Sequence, residues 1–435
     1  MDGFIGRRQE LKRLEDLYKN RSGSCAISGR RHIGKTTLIR EFSKDKDHIY
    51  ICGYRGLPSD NLRMINQELS RFAGKDINLP DIIELFGVIK DLCRKKEKTL
   101  VIIDRYSDLV DNFKAFDSSV RDFMLHDLNN TRILLVVCDE GTDLFDRFYI
   151  NIKLERMNFR ECAGFHPNYT PRQNLMVYSI VGGVPAYHME FDGNPEEVIR
   201  NKMFNHLSFF SLEAECFFGR GLSTQNRIMS ALASGATTIK SIAEATELPM
   251  VVTTKGLDEL VLKGIVRKVP VESRRNLYYI DSYLLKFYFE VVNEYSIAAE
   301  YYGIEEAYSS ADKRIMKYLE NTFKDVCMEY LKIHFTVSHE TRIRADDDYV
   351  DSDADFCSAI IEGDVLRTAY GKCRLDGSPM GVGELNALYS YGKNNGGSNR
   401  LYMLFSGCGF TDDLKSKAKT TPSIRLITVE NMYQD

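Results

Sequence analysis

The residues best equipped for chemistry lie near the start of the chain, in Ser28-Gly29-Arg30-Arg31-His32-Ile33-Gly34-Lys35-Thr36-Thr37, which has the glycine-rich phosphate-loop spacing G-x-x-x-x-G-K-[ST]. Glycines 29 and 34 let the backbone fold tightly enough for successive N–H groups to point at phosphate oxygens. A following helix presents its positive dipole end to the same anion. Gly29, Arg30, Arg31, His32, Ile33, Gly34 and Thr37 are expected to line the cradle, the Lys35 ammonium to reach the β- and γ-phosphates, and the Thr36 hydroxyl to ligate Mg2+. A second candidate is Asp104, which ends the apolar run Thr99-Leu100-Val101-Ile102-Ile103 in a Walker B pattern and would hold the hydration shell of the same Mg2+. The next residue is Arg105, a cation that cannot accept a proton from water. An acid pair, Asp139-Glu140, closes another apolar run, and Glu140 or Asp139 is the candidate to support slow hydrolysis. Arg147 stands where it would act either as an arginine finger or as a solvated surface residue.

These side chains need a parallel sheet with helices around it. Ser24-Cys25-Ala26-Ile27 suits a buried strand, and Leu38, Ile39 and Phe42 have helical spacing just after the loop. Strands are expected at 48–52, 99–104 and 132–138, with a final short one at 151–159; two helical stretches fill the space up to about Arg94. Leu11, Leu14 and Leu17 give an earlier helix one apolar face. Tyr178 to Tyr187 contains Gly182-Gly183-Val184-Pro185, where a helix must end or restart, because proline disfavours helical geometry at Val184.

Residues 228–280 read as a winged helix: Thr237 to Glu244 has a cap followed by helical spacing, Glu247-Leu248-Pro249 is the turn, 251–262 is the second helix, Gly264 stops it, and 265–269 with 276–280 form the wing. The would-be recognition helix carries Lys255 against Asp258 and Glu259, with no arginine for bidentate base readout. Only the wing is basic, through Arg267, Lys268, Arg274 and Arg275. A protein-packing module is therefore the first reading, and phosphate contact by the wing the second. Beyond it the chain turns aromatic and helical toward a break near residue 310, then gives a helix at 315–334, strands at 353–360 and 365–374, a loop at 391–397 and a strand at 400–405.

At 435 residues the chain is long enough for two or three domains, and its formal charge of -4 predicts no global attraction to nucleic acid. Ten cysteines without C-x-x-C pairs favour reduced thiols over a disulfide or zinc framework. With no bilayer-length apolar run and no signal-peptide core, a cytoplasmic protein without membrane partners is expected.

The string F-I-G-R-x-x-E-L from Phe4 to Leu11, followed by S-G-R-R-x-x-G-K-T-T-L-I, resembles prokaryotic ATPases of the AAA+ and STAND type. Gly182-Gly183-Val184-Pro185-Ala186-Tyr187 resembles the G-G-x-P-x-Y segment of the same proteins. The resemblance implies ATP as the nucleotide, the first segment beside the adenine, and the 132–138 strand between the phosphate-loop and Walker B strands at the position called sensor 1. It also implies a glycine-rich lid segment packed against nucleotide and hinge, offering backbone groups and Tyr187. Hydrolytic members usually carry glutamate where this chain has Arg105.

Y-Y-I-D-S-Y-L-L-K-F-Y-F, from Tyr278 to Phe289, resembles the archaeal and bacterial ATPase family whose last domain is similar to PD-(D/E)XK nucleases. By that resemblance Asp355 keeps one acid, while Lys372 takes the second acid position, Arg374 the catalytic lysine position and Lys324 the place of the helix carboxylate. Exchanging two acids for cations removes the metal site, which implies a nuclease-like domain without nuclease activity. The same cations suit a phosphate-bearing or acidic partner, or a solvated face.

The expected fold class is α/β: a P-loop NTPase parallel sheet with a helical lid, then a winged helix and a small α+β nuclease-like domain. The expected boundaries are 1–165, 166–225, 226–300 and 301–435. The expected function is an ATP- and Mg2+-binding switch with weak or no hydrolysis that signals to a protein partner. The alternatives are a DNA-binding ATPase coupled to the nuclease-like domain and a scaffold holding a structural nucleotide.

Overall fold

In the computed structural model, residues 3–20, 23–141, 147–205, 208–218, 223–271, 275–342, 353–395, 397 and 399–434 are described. They form two compact units, Met1–Met157 with Val184–Ala186, and Asn158–Gly183 with Tyr187–Asp435.

The first unit is built on a five-stranded parallel sheet of β1 (Gly23–Ser28), β2 (His48–Cys52), β3 (Thr99–Asp104), β4 (Ile133–Asp139) and β5 (Ile150–Lys153). The order is β2-β3-β4-β1-β5, so β4 lies between the phosphate-loop strand and the Walker B strand, as expected. Burial explains that order. β3 and β4 are buried at every position and β1 at all but its first, as central strands covered on both faces must be, whereas β2 alternates and β5 is mostly open. The register sets Ser28 beside Asp139 and Lys153, and Cys52 beside Asp104. The carboxyl ends of the strands thus share one rim, where open α/β sheets bind ligands. Ile49, Ile51, Val101, Ile103, Leu135 and Val137 pack with Ile65, Leu69, Leu85, Phe86 and Ile89 from the helices Pro58–Ala73 and Leu85–Cys93. At about 1.5–3 kcal/mol per fully buried large side chain, this core fixes the rim.

The second unit begins with helices Phe159–Ala163 and Pro171–Val181, each started by a reciprocal capping box at Asn158 and Thr170. Helices Thr224–Ala233, Ile239–Thr246 and Met250–Leu262 then precede an antiparallel hairpin of β6 (Val266–Val271) and β7 (Arg275–Ile280), the element order expected from the sequence. Thr238 caps the second of these helices, and Glu247 makes the turn with φ +54.

One expectation is corrected after this hairpin. No break falls near residue 310; the chain turns at Gly303, with φ +96, and a single helix runs through Ile304–His334. The Ser309-Ser310 pair stops nothing because Ala307 and Ala311 on either side are fully buried and hold the turns together. A second five-stranded sheet follows: β8 (Thr336–Arg342), β9 (Phe356–Glu362), β10 (Val365–Arg374), β11 (Leu401–Ser406) and β12 (Ile424–Thr428). Its order is β12-β11-β10-β9-β8, antiparallel from β8 to β10 and parallel from β10 to β12. β9 starts at Phe356, later than expected, although the Asp355 amide already donates to Gly371 O on β10. Among the described residues no helix is long and apolar enough to cross a membrane.

Candidate functional site

At the rim of the first sheet β1 runs out at Ser28, and the chain loops over residues 29–34 into the helix Lys35–Ser43. Gly29 has φ +152, and a Cβ there would lie 2.9 Å from both Ile33 Cγ2 and Leu154 O, so the loop closes only around glycine. Gly34, with φ +97, supplies the left-handed N-cap, and His32 adopts φ +65. Buried Ile33 pins the loop to the core, while Arg31 and Thr37 are exposed and Arg30 half-buried. The Lys35 ammonium folds back to donate to Gly29 O (2.6 Å) and Arg30 O (3.1 Å). Burial pushes its pKa down, and the Glu140 carboxylate is the largest influence in the other direction.

The Thr36 hydroxyl donates to Asp104 Oδ2 at 2.8 Å, joining the two residues expected to share a metal. These hard oxygen donors beside a phosphate cradle fit Mg2+, which takes few protein ligands and completes its shell with water and phosphate oxygens. Asp104 is buried and fully engaged: Oδ2 also accepts the Tyr50 hydroxyl at 2.9 Å, and Oδ1 accepts the Arg105 amide at 2.9 Å. Burial and the Asp104 charge hold the Tyr50 phenol well above its ordinary pKa, so it remains a proton donor.

After Asp104 the chain kinks. Arg105 takes φ +53 and Asp108 N donates to Arg105 O, which opens the helix Tyr106–Asn112. A Cβ on Gly53 would stand 2.4 Å from Arg105 O, so this glycine makes room for the kink. Asp139 is buried with both oxygens occupied, one by the Ser107 hydroxyl and the other by the Glu140 amide at 2.8 Å. Of the acid pair, it is the exposed Glu140 whose charge bears most on Lys35. Arg147 pairs with Asp117 at 3.0 Å.

Two contributors were not singled out by sequence reasoning. Arg7 is buried, sits at φ +54 after Gly6 (φ +66), and donates through Nη2 to Ile33 O (3.2 Å) and Glu155 O (2.6 Å). Its guanidinium thereby ties the phosphate loop to the end of the sheet. The F-I-G-R string marked the place without giving the direction of the side chain. The other is Tyr50, hidden in an ordinary strand pattern.

The lid segment is divided. Val184–Ala186 belongs to the first unit, with the Pro185 ring 3.7 Å from the Cβ position of Gly34. Tyr187, expected to face nucleotide, is instead buried in the second unit with its hydroxyl on Glu213 Oε1 at 3.0 Å; a phenol this deep in a core needs an acceptor and has found one.

In the second unit Lys324 and Asp355, two of the residues named by the second resemblance, are paired. Lys324 Nζ lies 2.7 Å from Asp355 Oδ1, and Asp355 Oδ2 accepts the Cys373 amide at 2.7 Å. Lys372 is buried, and Arg374 pairs with Glu384 at 2.6 Å. Glu320, one turn before Lys324, spends its carboxylate on the Leu375 amide (2.9 Å), and burial pushes its pKa up. Among the described residues no three His, Cys, Asp or Glu side chains gather around a metal-sized space. On the wing, Arg267 faces Asp281 at 3.9 Å; Arg274 and the side chain of Arg275 lie outside the described residues. The helix Met250–Leu262 exposes Met250, Val251 and Leu262.

No protein-family model matches the chain. Over 358 residues it is 25% identical to an uncharacterized protein of Methanocaldococcus jannaschii, MJECL04, covering 75% of this chain and 77% of that one. Among solved structures it is similar to the Walker-type ATPase PABY2304 of Pyrococcus abyssi, with a TM-score of 0.51 at 14% identity, over 66% of this chain and 96% of that chain. Cdc6p of Pyrobaculum aerophilum aligns with a TM-score of 0.37 at 14% identity, over 70% of this chain and 97% of that chain. The first of these structural likenesses agrees with a P-loop NTPase fold.

Proposed function

We propose that the protein is an ATP-binding switch of the AAA+ and STAND type, with weak or no hydrolysis, whose nucleotide state is read by a protein partner in the cytoplasm. The observation that carries this is the Thr36 to Asp104 hydrogen bond of 2.8 Å at the mouth of a loop whose lysine is folded onto its own carbonyls. Residues 29–37 would wrap the phosphates, Lys35 would exchange its carbonyl partners for phosphate oxygens, and Thr36 with Asp104 would hold Mg2+. The metal, when bound, supplies charge neutralisation on the polyphosphate. The proposed division is an ATPase core at 1–165, a lid at 166–225, a winged helix at 226–300 and a nuclease-like domain at 301–435.

Slow hydrolysis, where it occurs, is assigned to Glu140. Asp139 has both oxygens engaged and Arg105 cannot act as a base, whereas Glu140 is exposed and is the acid with the largest influence on Lys35. Titration of a fluorescent ATP analogue into the full chain tests the binding. Lys35→Ala should weaken it at least roughly tenfold, the worth of one charge-assisted hydrogen bond. Unchanged affinity would remove the basis of the proposal.

The second reading, a DNA-binding ATPase, draws on the basic wing at Arg267 and Lys268. The apolar exposed face of the helix Met250–Leu262 favours protein contact instead. Phosphate release measured with and without duplex DNA separates them: stimulation by DNA that fades with salt supports the second reading.

A further inference from the structure

Asp104 is held by three neutral donors. Its Oδ2 takes two hydroxyl donors, Thr36 at 2.8 Å and Tyr50 at 2.9 Å, and its Oδ1 takes the Arg105 amide at 2.9 Å. A carboxylate oxygen offers about two lone-pair directions, so Oδ2 is saturated. Thr36 can keep its hydrogen on Oδ2 while turning a lone pair toward a cation. Tyr50 cannot serve both sides, because its one hydrogen is already given to the acceptor that a metal's water would use. The tyrosine comes from β2, the strand next to β3, and its backbone amide is fixed by Glu68 at 2.8 Å, so the ring is held in place from outside the phosphate loop.

We propose that Tyr50 sets the metal affinity of the site: its hydroxyl occupies the Asp104 oxygen that the hydration shell of Mg2+ requires and must be released for the metal to load. The inference rests on the ATP- and Mg2+-binding reading above and adds to it a residue that no phosphate-loop or Walker B motif contains. Tyr50 touches neither phosphate nor metal in this account; it acts through Asp104 as a positioning residue.

The test uses the full chain with a fluorescent ATP analogue, first in a chelator and then titrated with Mg2+, and with Mn2+ followed by electron paramagnetic resonance. Tyr50→Phe removes one oxygen and keeps the ring, so the fold is retained. The metal midpoint should fall by roughly threefold to tenfold, the worth of one net hydrogen bond, while nucleotide affinity in chelator stays that of the parent. A merely structural tyrosine would move both quantities together or neither. An unchanged or raised midpoint overturns the proposal, as does a loss of nucleotide affinity in chelator. Lys35→Ala run alongside keeps the two readings apart: if it abolishes binding while Tyr50→Phe leaves the metal midpoint in place, the ATP reading stands and the role of Tyr50 falls. If the parent binds neither nucleotide nor metal, both fall.

Discussion

Arg7 shows what one side chain outside the phosphate loop does to hold it. Its Nη2 bridges Ile33 O and Glu155 O from a buried position, so its loss leaves the buried Ile33 carbonyl without this donor. Arg7→Ala should lower the stability of the full chain by about 2–4 kcal/mol in urea denaturation. Arg7→Lys should recover less than half, because an ammonium lacks the guanidinium fork. At Glu140 a different outcome is expected. Glu140→Gln should leave ATP affinity within about twofold, since the residue is exposed and outside the phosphate cradle, yet slow any single-turnover hydrolysis roughly a hundredfold if it is the base. Equal single-turnover rates in a measurably active parent would dismiss it. The motif residues were legible because glycine, lysine, threonine and aspartate at that spacing have few other uses. Arg7 and Tyr50 were not, because an arginine after a glycine and a tyrosine in a strand look the same whether they face solvent or a carboxylate.

Segments are held by how their ends are made. Gly182 has φ +66, and a Cβ there would lie 3.1–3.3 Å from the Tyr283 side chain, so Gly182→Ala combines a strained backbone with a crowded contact. A loss of about 2 kcal/mol is expected, seen as a lower melting temperature. The same carbonyl anchors a buried relay: His188 Nε2 donates to Gly182 O at 2.7 Å, which leaves Nδ1 as the acceptor for His166 Nε2 at 3.0 Å. Burial lowers His166 to about 4 and His188 to about 3, below the ordinary value of 6.5. A depressed folded-state value means the neutral form belongs to the fold. The contribution is complete above about pH 6.5 and drains away as pH falls toward 4 and then 3, while the unfolded chain takes up the protons. Melting followed from pH 7.5 to 4.5 should show this decline, and His188→Gln should flatten it. At the level of segments the parallel sheet could be read in advance, since continuous apolar runs leave little choice. The uninterrupted helix through residue 310 could not, because alanine burial is a tertiary fact and serine pairs are only weak stops.

At the scale of the whole chain, two buried aspartates, Asp104 in the first unit and Asp355 in the second, are held in different ways. In the first, Asp104 is held by hydroxyls and an amide, neutral donors that yield to a cation. In the second, Asp355 is neutralised by Lys324 in a largely buried pair. No Mg2+- or Mn2+-dependent cleavage of plasmid or linear DNA is therefore expected, and Lys324→Met should destabilise the fold by about 3 kcal/mol rather than create activity. Detectable metal-dependent nicking abolished by Asp355→Asn would contradict this. The cations Lys324, Lys372 and Arg374 were readable in the sequence, but the engagement of Glu320 at the end of β10 needed the backbone path. The division of the chain also limits dissection. A truncation ending at Met157 would excise every strand of the first sheet intact, yet it would leave behind the three residues Val184–Ala186 and with them the proline resting on Gly34. Gene fragments cut at that apparent border would yield a nucleotide module missing part of its own roof, and a weak affinity measured on such a piece would describe the cut rather than the protein.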